Sequence, residues 1–434
     1  MSDKPKLART HFSTSRMMDF FSESALITEI GYEPNLWPLV VTKELVDNAL
    51  DEAERNDGAP AIKVTLGPDL ITVSDNGTGI PAHVIERLLD YTIRVSDKKH
   101  YVATTRGQLG NALKCIIAAP FVATKVGLVE IIARGLVHRI EVSLDRIAGS
   151  PVIEHTPKPS TVKSGTVVKV HWPNLASYKG GYGHQFFYRE QDLAQALLLL
   201  IADYSALNRH ASFQFNDQRF PASDPSWTKW SADDPTSPHW YQAEHLRALI
   251  AAHINGADRF VRDFVGEFAG LSGTVVRKTV LAEAGISAGK RLSDFVVKGD
   301  IDMKLVERLL AAMRRHSRPV EPKRLGIIGK DHIEAAFKRM KAEGFKYFQQ
   351  SDLADEQGLP CLVEIGFAMR TDEVERRRLI LGINWAPIFK VPSGAMSEAL
   401  NNCRVQSNDP VILLIHMARP RWGFLDHGKG SISE

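Results

Sequence analysis

Two short segments constrain this chain more than anything else in it. Lys43–Glu54 reads KELVDNALDEAE, and Val73–Pro81 reads VSDNGTGIP. Wound as a helix at about 100° per residue, the first segment brings Glu44, Asn48, Asp51 and Arg55 within roughly 60° of one another. Val46, Ala49, Leu50 and Ala53 form the opposite stripe, the spacing that packs on a sheet. One face therefore carries a carboxylate and a carboxamide one turn apart. Alone, this describes an ordinary amphipathic helix with a solvated face. In the second segment, the strand pattern Ile71–Ser74 runs into Asp75-Asn76-Gly77-Thr78-Gly79. An aspartate followed by glycines at alternate positions lets the backbone turn tightly beside a ligand. Alone, that is a turn. Together and in this order, about thirty residues apart, the two make a specific pattern.

The chain around them has room for more than one core. At 434 residues it predicts two or three domains, and 44% hydrophobic with 24% charged residues is the balance of a folded protein. A formal net charge of +3 permits nucleic-acid binding without arguing for it, so any basic patch must be local. Cys115, Cys361 and Cys403 form no CxxC pair, which argues against a zinc site or a disulfide framework. The longest apolar stretch, Ala196–Ala202, is too short to cross a bilayer, and the N-terminus has no apolar run of signal-peptide length. A cytoplasmic protein is expected, nucleoid-associated if it binds DNA, with no membrane partner.

Periodicity predicts helices over Met17–Ile30, Pro38–Asn56, Pro81–Tyr91, Gly110–Ala118 and Gln191–Leu207. It predicts strands over Ala61–Leu66, Leu70–Ser74, Val122–Ala133, Leu136–Val142, Thr166–His171 and Ala211–Phe215. Ser223–Ser237, dense in Asp, Pro, Ser and Trp, reads as a linker. Helical patterns fill His239–His316, and Pro319–Pro322 marks a second boundary. The last hundred residues mix strands (Cys361–Met369, Arg378–Ile383, Val411–His416) with helices (His332–Glu343, Ala395–Asn401), an α+β pattern. Between the two motifs and the later strands, Arg106-Gly107-Gln108-Leu109-Gly110-Asn111-Ala112-Leu113-Lys114 runs from glycines into a helix. Backbone N–H groups there can cradle phosphates. Gly285–Arg291 is one residue short of a Walker loop and lacks its Ser or Thr, so it reads as a helix–helix turn.

The paired motifs resemble the Bergerat nucleotide fold of the GHKL superfamily, shared by gyrase-type topoisomerases, MutL mismatch-repair proteins, ninety-kilodalton heat-shock chaperones and sensor histidine kinases. The resemblance implies an α+β chain that binds ATP and Mg²⁺ on a mixed sheet with helices on one face. Glu44 matches the general base that orients and deprotonates water. Asn48 matches the Mg²⁺ ligand, Asp75 the acceptor of the adenine amino group, and Gly77 and Gly79 the glycines lining base and phosphates. Thr166, in KSGTV (Lys163–Val167), matches the threonine beside the adenine pocket. Arg106, Gly107, Gln108, Leu109, Gly110, Asn111 and Lys114 stand where the family cradles phosphate, behind a polar lid stretch, Ser96–Thr105.

Within that superfamily, SDKKHYVATTRGQLGNALK is similar to the lid of the topoisomerase VI B subunit. Asn111 and Ala112 replace the apolar residue and glycine usual there. Phe260–His316 resembles that family's helix-two-turns-helix module. Its Arg277, Lys278, Lys290, Arg291, Lys298, Arg314, Arg315 and Arg318 are either a DNA-phosphate contact or a solvated basic face. RLGIIGKDHI (Arg324–Ile333) and Val411–Glu434 resemble the transducer domain, with Lys429 matching the switch lysine that reaches the γ-phosphate and Lys390 in reserve. The implied division is 1–225 ATPase, 238–318 helical module and 319–434 transducer-like. The implied activity is an ATPase that dimerises on ATP and gates DNA for a separate A-like cleavage partner, as in a type IIB topoisomerase. The chain ends five residues after Lys429, where the family continues into a long helix. That leaves a second expectation, a stand-alone ATP-dependent switch or interaction module without topoisomerase activity.

Overall fold

The computed structural model describes residues 16–56, 58–91, 100–104, 106, 112–145, 147, 149–180, 191–231, 233–354, 358–372, 377–389, 393–406 and 408–422. The first part is built on an eight-stranded sheet in the order β10-β9-β1-β2-β6-β3-β4-β5. Its strands are β1 Ala61–Leu66, β2 Leu70–Ser74, β3 Gly127–Ala133, β4 Leu136–Asp145, β5 Ser150–Pro159, β6 Thr166–His171, β9 Ser212–Phe215 and β10 Gln218–Phe220; β7 Lys179–Gly180 and β8 Gln191–Asp192 pair separately. The sheet is mixed because β1 and β9 run parallel while its other pairs are antiparallel. Helices α1 Glu23–Ile30, α2 Trp37–Ala53, α3 Ala82–Leu88, α4 Ala112–Thr124 and α5 Leu193–Leu207 complete this part. Alternation of buried and half-buried residues along β2, β3 and β6 marks one face turned to the core.

Several expectations shift for physical reasons. The predicted Met17–Ile30 helix is a 3₁₀ turn, Arg16–Asp19, followed by α1, which starts where Ser22 Oγ accepts from Ala25 N at 3.3 Å. Val122–Thr124 belong to α4, not to a strand, and the strand begins at Gly127. Ser223–Ser237 is no loose connector, since Lys229, Trp230, Thr236 and Ser237 are buried along it.

The next part is helical: α6 Ala243–Gly256, α7 Val261–Val265, α8 Thr274–Ala284 and α9 Met303–Arg315, with a small hairpin of β11 Val296–Val297 and β12 Asp300–Ile301. Gly285 caps α8 in the left-handed conformation (φ 70°), so Gly285–Arg291 is indeed a turn. The last part sets α10 Lys330–Arg339 and α11 Ser393–Asn402 with a five-stranded sheet in the order β13-β14-β17-β15-β16. Its strands are β13 Ala342–Ala354, β14 Pro360–Arg370, β15 Arg378–Ile383, β16 Ala386–Pro387 and β17 Val411–Ala418. One apolar core lies under the eight-stranded sheet. A second runs without interruption from the end of α5 through the helical part into the five-stranded sheet. Among the described residues no helix is long and apolar enough to cross a membrane.

Candidate functional site

Helix α2 is enclosed on nearly every side, by β1 and β2 and by α4 and α5. From Trp37 to Asp51 every residue is buried except Glu44 and Asn48; Glu52 is the next to open. A spacing of four places these three along one line of the helix. The polar face that reads as solvated in the sequence is therefore closed, apart from one narrow opening. Beside it, buried Lys43 donates to Asp47 Oδ2 at 2.7 Å, and Tyr204 of α5 donates to Asp47 Oδ1 at 2.7 Å. Burial depresses the Lys43 pKa, but Asp47 and Glu44 outweigh it and hold it above the ordinary value, so the ammonium stays charged. Its Nζ lies 3.8 Å from Glu44 Oε1, a fixed cation beside the candidate base.

The second wall follows from sheet register. β2 and β6 are antiparallel with Ser74 opposite Val167, so Asp75 emerges beside Thr166. Asp75 Oδ1 accepts from Gly77 N at 2.8 Å and from Thr166 N at 3.2 Å. Gly165 N donates to Gly77 O at 2.8 Å, locking the two loops together. A Cβ on Gly77 would stand 2.8 Å from Glu52 Cγ and 2.9 Å from its carbonyl carbon, so only glycine lets this loop press on α2. Gly79 has φ 84°, and a Cβ there would meet Gly165 O at 2.9 Å. Burial pushes the Asp75 carboxyl up to about 6; the charge of Glu52 adds to the shift, and the two N–H donors oppose it.

Two polar atoms at these walls are left short of partners. Asn48 Nδ2 is buried without a hydrogen-bond partner, and the buried Thr166 hydroxyl has only the Asp75 carboxylate beside it. Unmet polar groups at an opening are what a polar ligand would satisfy.

The third wall carries Arg106. Its guanidinium donates to Asp51 Oδ1 (3.0 Å), to both oxygens of Glu54 (2.9 and 2.8 Å) and to Asn208 Oδ1 (2.6 Å). The structure thus brings Glu44, Asn48, Asp75, Gly77, Gly79, Thr166 and Arg106 onto interlocked elements. Lys114 is fully buried and donates to Asp90 O at 2.6 Å, with its ammonium over the rings of Tyr91 and Phe20. Gly107, Gln108, Leu109, Gly110, Asn111, Lys390 and Lys429 lie outside the described residues. Glu54, His210 and Lys229, which complete the Arg106 surroundings, went unread in the sequence. Nothing but three-dimensional contact joins them.

Residues 37–176 match the family model described as histidine kinase-, DNA gyrase B-, and HSP90-like ATPase. They form a GHKL ATPase domain. Over 421 residues the chain is 23% identical to the B subunit of type 2 DNA topoisomerase 6 from Metallosphaera sedula, covering 90% of this chain and 75% of that protein. Over 138 residues it is 33% identical to the DNA mismatch repair protein MutL of Halothermothrix orenii, covering 30% of this chain and 19% of that one. Among solved structures, the ATPase region of Saccharomyces cerevisiae topoisomerase II aligns with 98% of this chain and 90% of its own at a TM-score of 0.46 and 11% identity.

Beyond the GHKL domain, the basic helical part is largely neutralised. Arg277 faces Asp263 (3.8 Å), Lys290 faces Asp294 (3.2 Å), Arg291 faces Asp258 (2.9 Å) and Arg315 pairs with Glu283. Arg314 donates to the carbonyls of Pro238 and Tyr241. Lys278, Lys298 and Arg318 stay exposed. The patch is weaker than its sequence count suggests.

Proposed function

We propose that the GHKL domain binds ATP with Mg²⁺ and hydrolyses it, and that the chain is an ATP-gated DNA-processing subunit resembling the topoisomerase VI B subunit. The single observation that carries the ATPase reading is the opening of buried α2 along the line Glu44, Asn48 and Glu52, with Glu52 against Gly77 of the loop that begins at Asp75. Asp75 would accept the adenine amino group and Thr166 would offer its hydroxyl beside it. Gly77 and Gly79 leave room for base and phosphates. Glu44 would orient water and take its proton, with the Lys43 ammonium beside it. Among the described residues no cluster of three or more His, Cys, Asp or Glu could hold a metal. A cation here would therefore rely on Asn48, phosphate oxygens and water, the habit of Mg²⁺. When bound, Mg²⁺ would neutralise phosphate charge. The segment Gly107–Asn111 is the proposed phosphate cradle, and Lys429, with Lys390 in reserve, the proposed γ-phosphate contact; both rest on the resemblance.

The finer reading is supported by the relatives named as B subunits of type 2 DNA topoisomerase 6, whose similarity runs through the helical and C-terminal parts as well. In it, ATP dimerises two GHKL domains, DNA is the cargo, and an A-like partner does the cutting. The test of hydrolysis is Glu44→Ala, assayed for ATP-analogue binding and for phosphate release. Binding should persist and turnover fall by about a hundredfold or more, in the range for loss of a general base. Wild-type turnover in this variant would overturn the mechanism. Dimerisation is tested by mass measurement with and without a non-hydrolysable analogue, repeated with duplex DNA; a monomer throughout would remove the clamp.

A further inference from the structure

Lys229 comes from a stretch that composition marks as a connector, yet its side chain is only 5% exposed. Its Nζ donates to Glu54 Oε2 at 2.7 Å. Glu54 follows the last turn of α2 and also holds both terminal nitrogens of Arg106, with His210 Nε2 at 3.0 Å. Arg106 reaches on to Asp51, in the same turn of α2. Buried carboxylates Asp51 and Glu54 thus face the cations Arg106 and Lys229. Burial holds the His210 imidazole below its ordinary pKa, which keeps it neutral. Hydrogen bonds between charged groups in such a setting are short, directional and stiff.

The far side of this cluster is the five-stranded sheet. Lys229 Nζ lies 4.6 Å from the centroid of the Trp385 ring, a cation–π contact. Asn208, the partner of Arg106, donates from Nδ2 to Trp385 O at 2.8 Å. Trp385 is fully buried in the turn between β15 and β16, and both it and Asn384 have positive φ (63° and 48°). The loop entering the last part closes over the lysine stem: a Cβ on Gly326 would stand 2.5 Å from Lys229 Cβ, and Trp230 N donates to Leu325 O at 3.0 Å. Lys229 thus touches the end of the site helix and the C-terminal sheet at once.

We propose that Lys229 is a positioning residue of the nucleotide site, and that through it the Trp385 turn responds to nucleotide. The inference rests on the ATP-binding reading above. Glu44 and Asn48 are presented by the helix whose last turn the cluster anchors, so the direction of that helix depends on bonds that include Lys229. Without the ammonium, Glu54 loses one of its two cations and leans on the Arg106 guanidinium alone. Arg106 is then drawn toward Glu54, its bond to Asp51 loosens, and the end of α2 loses its fixed direction. The same lysine carries any movement of α2 to the Trp385 ring, the physical contiguity that coupling between sites requires.

The test uses the full chain, a non-hydrolysable ATP analogue and tryptophan emission. In the wild type the analogue should change emission, and Trp385→Phe should remove most of that change. Lys229→Met should raise the ATP KM about tenfold with kcat at saturation within twofold, and should abolish the emission change. Lys229→Arg, which keeps the charge, should restore KM to within about threefold. A merely structural lysine would lower the melting temperature in Lys229→Met without splitting KM from kcat. If Lys229→Met does not fold, Trp385→Phe carries the test alone, and an undiminished emission change in it would overturn the inference. A folded Lys229→Met with wild-type KM and emission change would overturn it too. Failure of the wild type to bind the analogue at all would instead overturn the functional reading.

Discussion

Asp75 offers the sharpest test of the site, because its cost to the fold and its use to a ligand have opposite signs. Its carboxyl sits at about 6 rather than 3.8, mainly through burial, with Glu52 as the neighbouring charge that adds to the shift. A raised carboxylate pKa means the folded state holds its proton more tightly than the unfolded chain does. Stability therefore falls as pH rises from about 3.8 to about 6, and above that the penalty is complete. Roughly two units correspond to at most about 3 kcal/mol, less for the water the group still meets. Asp75→Asn removes the titration. The variant should be more stable than wild type at pH 7.5 by about 1–3 kcal/mol in chemical denaturation. The adenine amino group needs the acceptor, so affinity should move the other way. Wild-type binding of an ATP analogue, measured by calorimetry, should weaken about tenfold between pH 7.5 and 5 as the carboxylate takes up its proton. In Asp75→Asn, affinity should be lower at pH 7.5 and lack this component. Taking the ratio of the two proteins cancels the titration of the ligand's own phosphates. An Asn variant that is no more stable, or that keeps the wild-type pH slope, would refute the reasoning.

Three further outcomes follow from single contacts. Gly77→Ala forces a methyl to within 2.8–2.9 Å of Glu52, so it should cost about 1–3 kcal/mol in urea unfolding and weaken nucleotide binding, whereas an unchanged midpoint would mean the loop does not press on α2. Thr166→Val removes a hydroxyl whose neighbour is the Asp75 carboxylate, which keeps its two backbone N–H donors. Stability should change by under about 1 kcal/mol while analogue affinity drops severalfold, and equal affinity would take Thr166 out of the site. Glu364 is fully buried in the C-terminal sheet, accepting from Ile328 N (2.9 Å), Gly329 N (2.8 Å) and Tyr347 OH (2.7 Å), with His416 Nδ1 at 3.0 Å. Burial raises its pKa, but His416 and these donors together hold it below 4.5. Its contribution is therefore full above pH 4.5 and lost on acidification below it. Glu364→Ala should cost about 3 kcal/mol or more at neutral pH, since it orphans several donors together, and a loss under about 1 kcal/mol would show that water replaces the carboxylate.

Much of the GHKL domain was legible because its signals are local. The strands Ala61–Leu66, Leu70–Ser74 and Thr166–His171 coincide with their alternating patterns, and α2 with its apolar stripe. What escaped depended on packing. β5 carries Pro151, Pro157 and Pro159, which argue against a strand until its place at the edge of the sheet is known, where prolines are tolerated. Val122–Thr124 look like a strand start because valine and threonine are β-branched, yet burial against the sheet keeps them in α4 despite Pro120. The buried Lys43–Asp47 pair drew no reading in the sequence, because only the fold lays α5 over it and lets Tyr204 close it. Lys229 is the extreme case: no period or motif marks a lysine 175 residues from its carboxylate.

The second core has a consequence for how the chain comes apart. Leu249, Phe264, Leu309, Leu325, Ile333, Leu362 and Leu414 belong to one apolar body although they span what the sequence divides at Pro319–Pro322. A boundary drawn between the helical and C-terminal parts would run through packed side chains, and each piece alone would show the solvent the face that the other now covers. Unfolding should therefore proceed in two cooperative steps rather than three, the helical and C-terminal parts melting together. The same packing reaches the end of α5, where a Cβ on Gly382 would stand only 2.6 Å from Cδ2 of Leu207, so the C-terminal sheet is pressed against the helix that also covers α2.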